Sequence, residues 1–342
     1  MLFRSTITDF SLATFWVPET LITLKDGTLE IFATSSFEFN LIEDGNHFAN
    51  LLEDETQPLL LKKVALNEYK IAFEKIQSYL KRGDIYEVNY CIPFISKVQN
   101  INLIDIYLKQ RVLSPAPYSA FYKANDSYLI CASPEQFIQK KGDLISCHPM
   151  KGTIKKSDDP IENARLKNQL SSSEKEKAEN VMIVDLTRND LSKIASQGSV
   201  NVRELFGVYE FPQVYQMIST VEAQLKDNTR FSSILKALFP MGSMTGAPKL
   251  NAIKIIDEVE CFSRELFSGS IGYFNPAGDF NFNVVIRSIL YNANSQLALV
   301  AAGGAITVHA NADDEYEECL LKARMNLKLL GIDLSALPLA EQ

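Results

Sequence analysis

The chain reads as an α+β protein built on antiparallel sheets. Three observations carry that reading. Segments with period-two apolar alternation follow one another in runs. Helical stretches fall between those runs instead of alternating with single strands. Turn signals such as Asp26-Gly27 and Lys141-Gly142-Asp143 separate neighbouring strands. Taken in order, residues 20–33 predict a hairpin around Asp26-Gly27. Tyr69, Ile71, Ala72, Ile76 and Leu80 space out a helix over 67–81 that stops near Gly83. Ile85 to Ser96 alternates and is rich in Tyr, Val and Ile, which predicts a strand, and three or four short strands follow between 117 and 149. A long helix is expected from Ser173, with Glu176 closing a capping box, to about Leu186. Strands are expected near 198–225, a helix over 230–238, and another over 246–259 with Pro248 in its first turn. Strands over 267–274, 281–290 and 296–302 precede a last helix from Asp313 to Leu330, whose acidic start complements its dipole.

The 342 residues are 46% hydrophobic and 22% charged, a globular composition with length enough for a large core. No linker, charge block or internal repeat offers a place to cut, so a single domain over 1–342 is expected. No apolar run approaches the length of a membrane helix. Cys91, Cys131, Cys147, Cys261 and Cys319 are odd in number and widely spaced, which favours reduced thiols in a cytoplasmic protein over disulfides or zinc. A net charge of −8 without a basic cluster argues against nucleic acid or an anionic membrane as partner. An anionic small molecule would then need local cations or a metal.

Several constellations stand out, each with a bland alternative. In His148-Pro149-Met150-Lys151-Gly152, a lysine sits between a stiff residue and a permissive one; with a lowered pKa it is a nucleophile, otherwise a solvated cation. Glu176 with Glu179, and Glu315 with Glu318, each place two carboxylates on one helix face. Separately they read as solvated faces; together they would hold a hard cation, magnesium fitting best. Pro240 to Lys249 is a glycine-bearing loop running into a helix, either an ordinary helix start or an anion cradle. Ala301-Ala302-Gly303-Gly304-Ala305 suits close backbone approach to a ligand or tight sheet packing. Arg287, in an otherwise apolar strand, needs an anion from the protein or from a substrate. Asp185, Arg188 and Asp190 form a candidate ion-pair network closing a helix.

Five stretches occur in a telling order: Ser133-Pro134-Glu135, Pro149 to Thr153, Glu179-Asn180 with Asp185 to Asp190, Gly242 to Lys249, and Glu315 to Glu318. As a set they resemble the chorismate-utilising enzymes over about residues 65–332. The resemblance implies that family's fold, large antiparallel sheets packed face to face with helices outside. It implies chorismate as substrate and Mg2+ as cofactor, with Glu179 and Glu318 as ligands and Glu176 and Glu315 as second ligands or water holders. Arg287 and Tyr273, with the backbone near Gly303 and Ala305, are expected to bind the enolpyruvyl carboxylate. Thr153 and Thr245 would line the ring, Lys322 would stand near the metal end, and Glu135 would be the general acid.

Lys151 discriminates within the family. Members that make anthranilate carry alanine there, whereas members that aminate chorismate at C4 carry a lysine that attacks C2. The implied reaction forms 4-amino-4-deoxychorismate for 4-aminobenzoate and folate synthesis. Members that add water at C2 place a lysine where this chain has Glu87, a position more often glutamine in the rest. Ala305 stands where glycine is common, His148 and Met150 where arginine and isoleucine are, and Gln216 where anthranilate-forming members carry histidine. The N-terminal segment, about 1–64, is expected to lack the full tryptophan-binding region, and so tryptophan feedback. His47, His148 and His309 build no cysteine–histidine glutaminase centre, so a separate glutamine amidotransferase subunit is the expected source of ammonia.

Overall fold

The computed structural model describes residues 6–26, 28–33 and 58–334. β1 (Thr20–Lys25) and β2 (Thr28–Ala33) form the expected hairpin, with Lys25 opposite Thr28. β3 (Leu59–Lys63) precedes α1 (Leu66–Arg82), which ends at Gly83 as expected. β4 (Glu87–Lys97), α2 (Leu103–Leu113), β5 (Tyr118–Ala124), β6 (Ser127–Ser133), β7 (Gln136–Lys141), β8 (Leu144–Cys147) and β9 (Met150–Lys155) follow. Next come α3 (Pro160–Ser172), α4 (Glu174–Ser192), β10 (Asn201–Glu210), β11 (Val214–Gln224), α5 (Phe231–Leu238), β12 (Gly246–Ala247) and α6 (Lys249–Val259). β13 (Gly272–Phe274), β14 (Phe280–Asn283), β15 (Ser288–Asn292), β16 (Leu297–Thr307) and α7 (Ala312–Leu329) complete the chain.

Two seven-stranded sheets carry the molecule, and every strand pairing in them is antiparallel. One runs β10-β11-β8-β7-β14-β13 with β9 on β11; the other runs β12-β4-β16-β15-β6-β5 with β3 on β4. Cys91, Leu129 and Leu299 from the second sheet share a buried cluster with Ile138, Ile145 and Val221 from the first, so the sheets meet face to face over a common core. On its other face the second sheet packs Ile92, Val300 and Ile306 against Ile76 of α1, Ile255 of α6 and Ala323 of α7, which places those helices outside.

Several boundaries differ from expectation. Residues 281–290 do not form one strand: β14 belongs to one sheet, β15 to the other, and 284–287 crosses between them. Val284 and Val285 are fully buried at that crossing, so their apolar run imitates a strand, while Arg287 makes the corner at φ 52°. The expected strand over 267–274 is regular only at β13. α4 continues past Leu186 to Ser192, and Ser173 caps it by accepting the Glu176 N–H at 3.4 Å. α6 begins after Pro248, because Gly246 and Ala247 pair with Val88 and Glu87 of β4. A Cβ on Gly246, at φ 140°, would lie 2.1 Å from the Glu87 carbonyl oxygen, so glycine there permits the close approach of β12 to β4. Of the N-terminal segment expected to be shortened, residues 1–5, 27 and 34–57 lie outside the described ones.

Candidate active site

β4 and β16 pair over eleven residues, from Leu297 opposite Lys97 to Thr307 opposite Glu87. α7 packs on β16 and α4 packs on β9 and β11, so the two acidic helices border the same end of the sheets. Glu179 and Lys175 on α4 lie close enough to act electrostatically on Glu315 of α7, and Lys151 and Lys175 act likewise on Glu318. The helices bearing the two carboxylate pairs therefore approach each other, which the spacing within each pair left open. Burial, with Glu318 nearby, pushes the Glu315 pKa up to about 7; Glu179 is also raised, by burial with Glu176 adding to it. Burial alone would raise Glu318 too, but the Lys322 ammonium at 2.6 Å more than offsets it. Among the described residues no three carboxylate, thiolate or imidazole groups converge on one point as they stand. Glu179 and Glu315, raised mainly by burial, nonetheless belong to a set of oxygen donors that a magnesium ion fits, since it takes few protein oxygens and keeps its waters.

Lys151, on β9, reaches into this cleft with 13% of its side chain exposed, and its Nζ donates to Glu87 Oε1 at 2.9 Å. Burial by itself lowers its pKa, but the carboxylates of Glu87, Glu179 and Glu135 outweigh burial and leave it raised. Of the two readings the sequence left open, a lowered pKa does not describe the resting side chain: Lys151 is an ammonium at neutral pH, held so by the carboxylates around it. Glu135, just before β7, is 9% exposed and accepts a hydrogen bond from Ser243 Oγ at 2.6 Å on Oε1. Burial pushes its pKa up to about 7, against the opposing pull of Ser243, Lys151 and Lys322. A cavity of about 40 Å3 touches Glu135, Ser243, Pro149, His148 and Asp190, larger than the ~10–15 Å3 one water needs.

Arg287 is exposed, yet desolvation by the protein around it lowers its pKa, the mark of a side chain lining an open cleft. Its Nη1 donates to the Lys322 carbonyl at 3.2 Å, and no salt bridge involves it among the described residues. Lys322 Nζ also donates to the Gly303 carbonyl at 2.8 Å, which joins Arg287, Lys322 and Gly303 to the metal-side carboxylates. Ala305 lies two residues on along β16, opposite Asn89. A Cβ on Gly304 would lie 2.5 Å from Glu315 Oε2, so the smallest residue lets α7 bring that carboxylate against the strand. Thr245 is buried and its hydroxyl donates to the Met241 carbonyl at 2.9 Å. Thr153 is exposed on β9 opposite Gln216. Tyr273 is 65% exposed on β13, the end strand of its sheet, and no hydrogen bond ties it to the other candidates among the described residues.

Asp185 pairs with Arg188 on the surface at 2.8 Å, whereas buried Asp190 pairs with Lys193 at 2.7 Å and with Lys249. The expected single network is two, since Asp185 and Asp190 project from different faces of α4. Lys249 is spent on Asp190 and the Leu238 carbonyl, and the start of α6 is tied to β4, so the 240–249 loop braces the site. Sequence reasoning missed Ser243 as the partner of Glu135. It also missed the partner of Asn180, which accepts from Ser219 Oγ at 2.6 Å and whose amide nitrogen is unpaired among the described residues. Neither local pattern signalled a partner, because both pairings bridge distant segments.

An α+β sandwich in which two acidic helices border a buried lysine and an arginine in a cleft is the class of fold and site this chain presents. The comparisons give that class its family. The chorismate binding enzyme family matches residues 5–328, and the chain belongs to it. The aminodeoxychorismate synthase component 1 of Escherichia coli is 39% identical over 77% of this chain and 57% of its own length. The chloroplastic aminodeoxychorismate synthase of Arabidopsis thaliana is 37% identical over 88% of this chain and 34% of its own. The chain thus spans between a third and three-fifths of these relatives. The solved anthranilate synthase component I of Streptococcus pneumoniae superposes with a TM-score of 0.70 at 30% identity, over 81% of this chain and 59% of that one.

Proposed function

We propose that this chain converts chorismate and ammonia to 4-amino-4-deoxychorismate through an adduct of Lys151 at C2. The observation that carries the proposal is Lys151 itself, an amine held inside the acidic cleft beside Glu87 and within the electrostatic reach of Glu135 and Glu179. The relatives' names and the lysine at this position both support it. In the reaction, the neutral amine of Lys151 bonds to C2 as the C4 hydroxyl departs, and Glu135 gives its proton so that water leaves. Ammonia then bonds to C4 and displaces Lys151 from C2, and Glu135 recovers a proton from the new C4 ammonium. Burial suits Glu135 to this part, because a carboxyl with a pKa of about 7 still holds its proton near neutrality. Glu176, Glu179, Glu315 and Glu318 would hold Mg2+, which when bound would neutralise the ring carboxylate and act as a Lewis acid toward the departing hydroxyl. Arg287, which forms no salt bridge among the described residues, would pair with the enolpyruvyl carboxylate.

A separate glutamine amidotransferase is proposed as the ammonia source, and glutamine-dependent turnover should need it while ammonium salts bypass it. Free thiols at all five cysteines fit a reducing compartment such as the cytoplasm. Among the described residues no helix is long and apolar enough to cross a membrane. The test is mass spectrometry of products from chorismate, magnesium and ammonium. The wild-type chain should give 4-amino-4-deoxychorismate, and Lys151→Ala should give none. Fluorescent anthranilate from the wild type would overturn the proposal in favour of the other aminating branch.

A further inference from the structure

The amination reading leaves a proton unaccounted for, because Lys151 rests as an ammonium and an ammonium is not a nucleophile. We propose that Glu87 takes that proton, through the hydrogen bond from Lys151 Nζ to its Oε1, before attack at C2, and returns it when the lysine departs. The inference rests on the reading that Lys151 adds to chorismate.

The position of Glu87 supports this. It is the first residue of β4, paired with Thr307 on one side and Ala247 on the other, so its backbone is fixed by two neighbouring strands. The residue is 0% exposed, and its Oε2 makes no hydrogen bond among the described residues. A buried carboxylate with half its acceptors idle is a poor structural device, since burying a charge is costly unless the group is fully paired. Glu87 Oε1 lies where a proton leaving Lys151 Nζ would arrive, and a dry site narrows the gap between an ion pair and its neutral form. Three other carboxylates face Lys151: Glu179 from α4, Glu318 from α7 and Glu135 before β7. Among the described residues only Glu87 lies within hydrogen-bond distance of its nitrogen. Glu135 is needed protonated as the acid for the C4 hydroxyl, so the two proton transfers use different carboxyls.

The proton balance closes. Lys151–NH3+ and Glu87–COO− become Lys151–NH2 and Glu87–COOH. The amine bonds to C2, giving a secondary ammonium while water leaves C4 with the Glu135 proton. Ammonia bonds to C4, the C2–N bond breaks to release neutral Lys151, and Glu87 protonates it again.

The experiment compares wild type with Glu87→Gln and Glu87→Asp, using chorismate, Mg2+ and ammonium. Glu87→Gln should lower kcat roughly 100-fold, the scale of general base catalysis, with the KM for chorismate within about threefold. The ratio of its rate to the wild type's should rise with pH, since the amine must then lose its proton to solvent. Glu87→Asp should recover part of the loss. Independently of turnover, acetic anhydride labelling of Lys151, read by mass spectrometry, should begin at lower pH in Glu87→Gln, because burial then acts without its strongest opponent. A Glu87→Gln enzyme with kcat within threefold of wild type and a parallel pH profile, or with an unmoved labelling profile, overturns the assignment. A wild-type chain that makes no 4-amino-4-deoxychorismate sinks the amination reading instead, so the two failures are distinguishable.

Discussion

Glu135→Gln should make the protein more stable relative to wild type as pH rises, while removing its general acid. In the folded chain burial raises the Glu135 pKa from an ordinary 4.5 to about 7. Between those values the folded state holds a proton the unfolded state has lost. Wild-type stability therefore falls as pH rises through that window and levels off above about pH 7. At 1.36 kcal/mol per pH unit the full penalty is about 3 kcal/mol, of which about 2.5 kcal/mol develops between pH 5 and 8. Glutamine has no such titration, and its carbonyl still accepts from Ser243 Oγ. Any misfit of its amide would offset the variant equally at every pH, so only the slope carries the argument. Urea unfolding of both proteins at pH 5, 6, 7 and 8 gives the difference, with the other titrating groups cancelling. A difference constant within about 0.5 kcal/mol across that range would refute a raised pKa. The same titration predicts that wild-type kcat declines as pH passes about 7, with kcat reduced at least 100-fold at every pH in the variant.

Gly304→Ala would set a Cβ 2.5 Å from Glu315 Oε2 and push that carboxylate away; the magnesium concentration for half-maximal activity should rise roughly 10-fold, the scale for disturbing a ligand's surroundings, with little change in the thermal midpoint. EDTA should abolish turnover and leave the far-ultraviolet dichroism intact, since the two sheets need no metal to pack. Asp190→Ala should destabilise by about 3–5 kcal/mol, because Lys249, 12% exposed, would keep a buried charge without its carboxylate. Adding Lys249→Met should recover most of that loss in denaturant unfolding, and a double variant no better than the single one would count against the pair as the cause.

How much of this was legible depended on how local its cause was. The hairpin over 20–33 and α1 carry their own stop signals, and both form where the pattern places them. α2 and α3 escaped the reading although Asn102 and Asp159 cap them, because α2 scatters its apolar residues around the helix and α3 buries only Leu170. The apolar run ending at Arg287 misled for the opposite reason: a crossing buried between two sheets looks as apolar as a strand. Within the site, the facing of the two acidic helices was left open by the sequence, whereas the residue types and the i,i+3 spacing of each acidic pair were legible. The ionisation of Lys151 was not. It is decided by a carboxylate 64 positions away, brought to 2.9 Å by strand pairings that no local pattern encodes. A nucleophile is chosen by sequence, but whether it rests as amine or ammonium is a property of the neighbours that folding delivers. In this chain those neighbours are carboxylates, with Glu87, Glu179 and Glu135 foremost, which hold Lys151 protonated, and reversing that is the part proposed for Glu87.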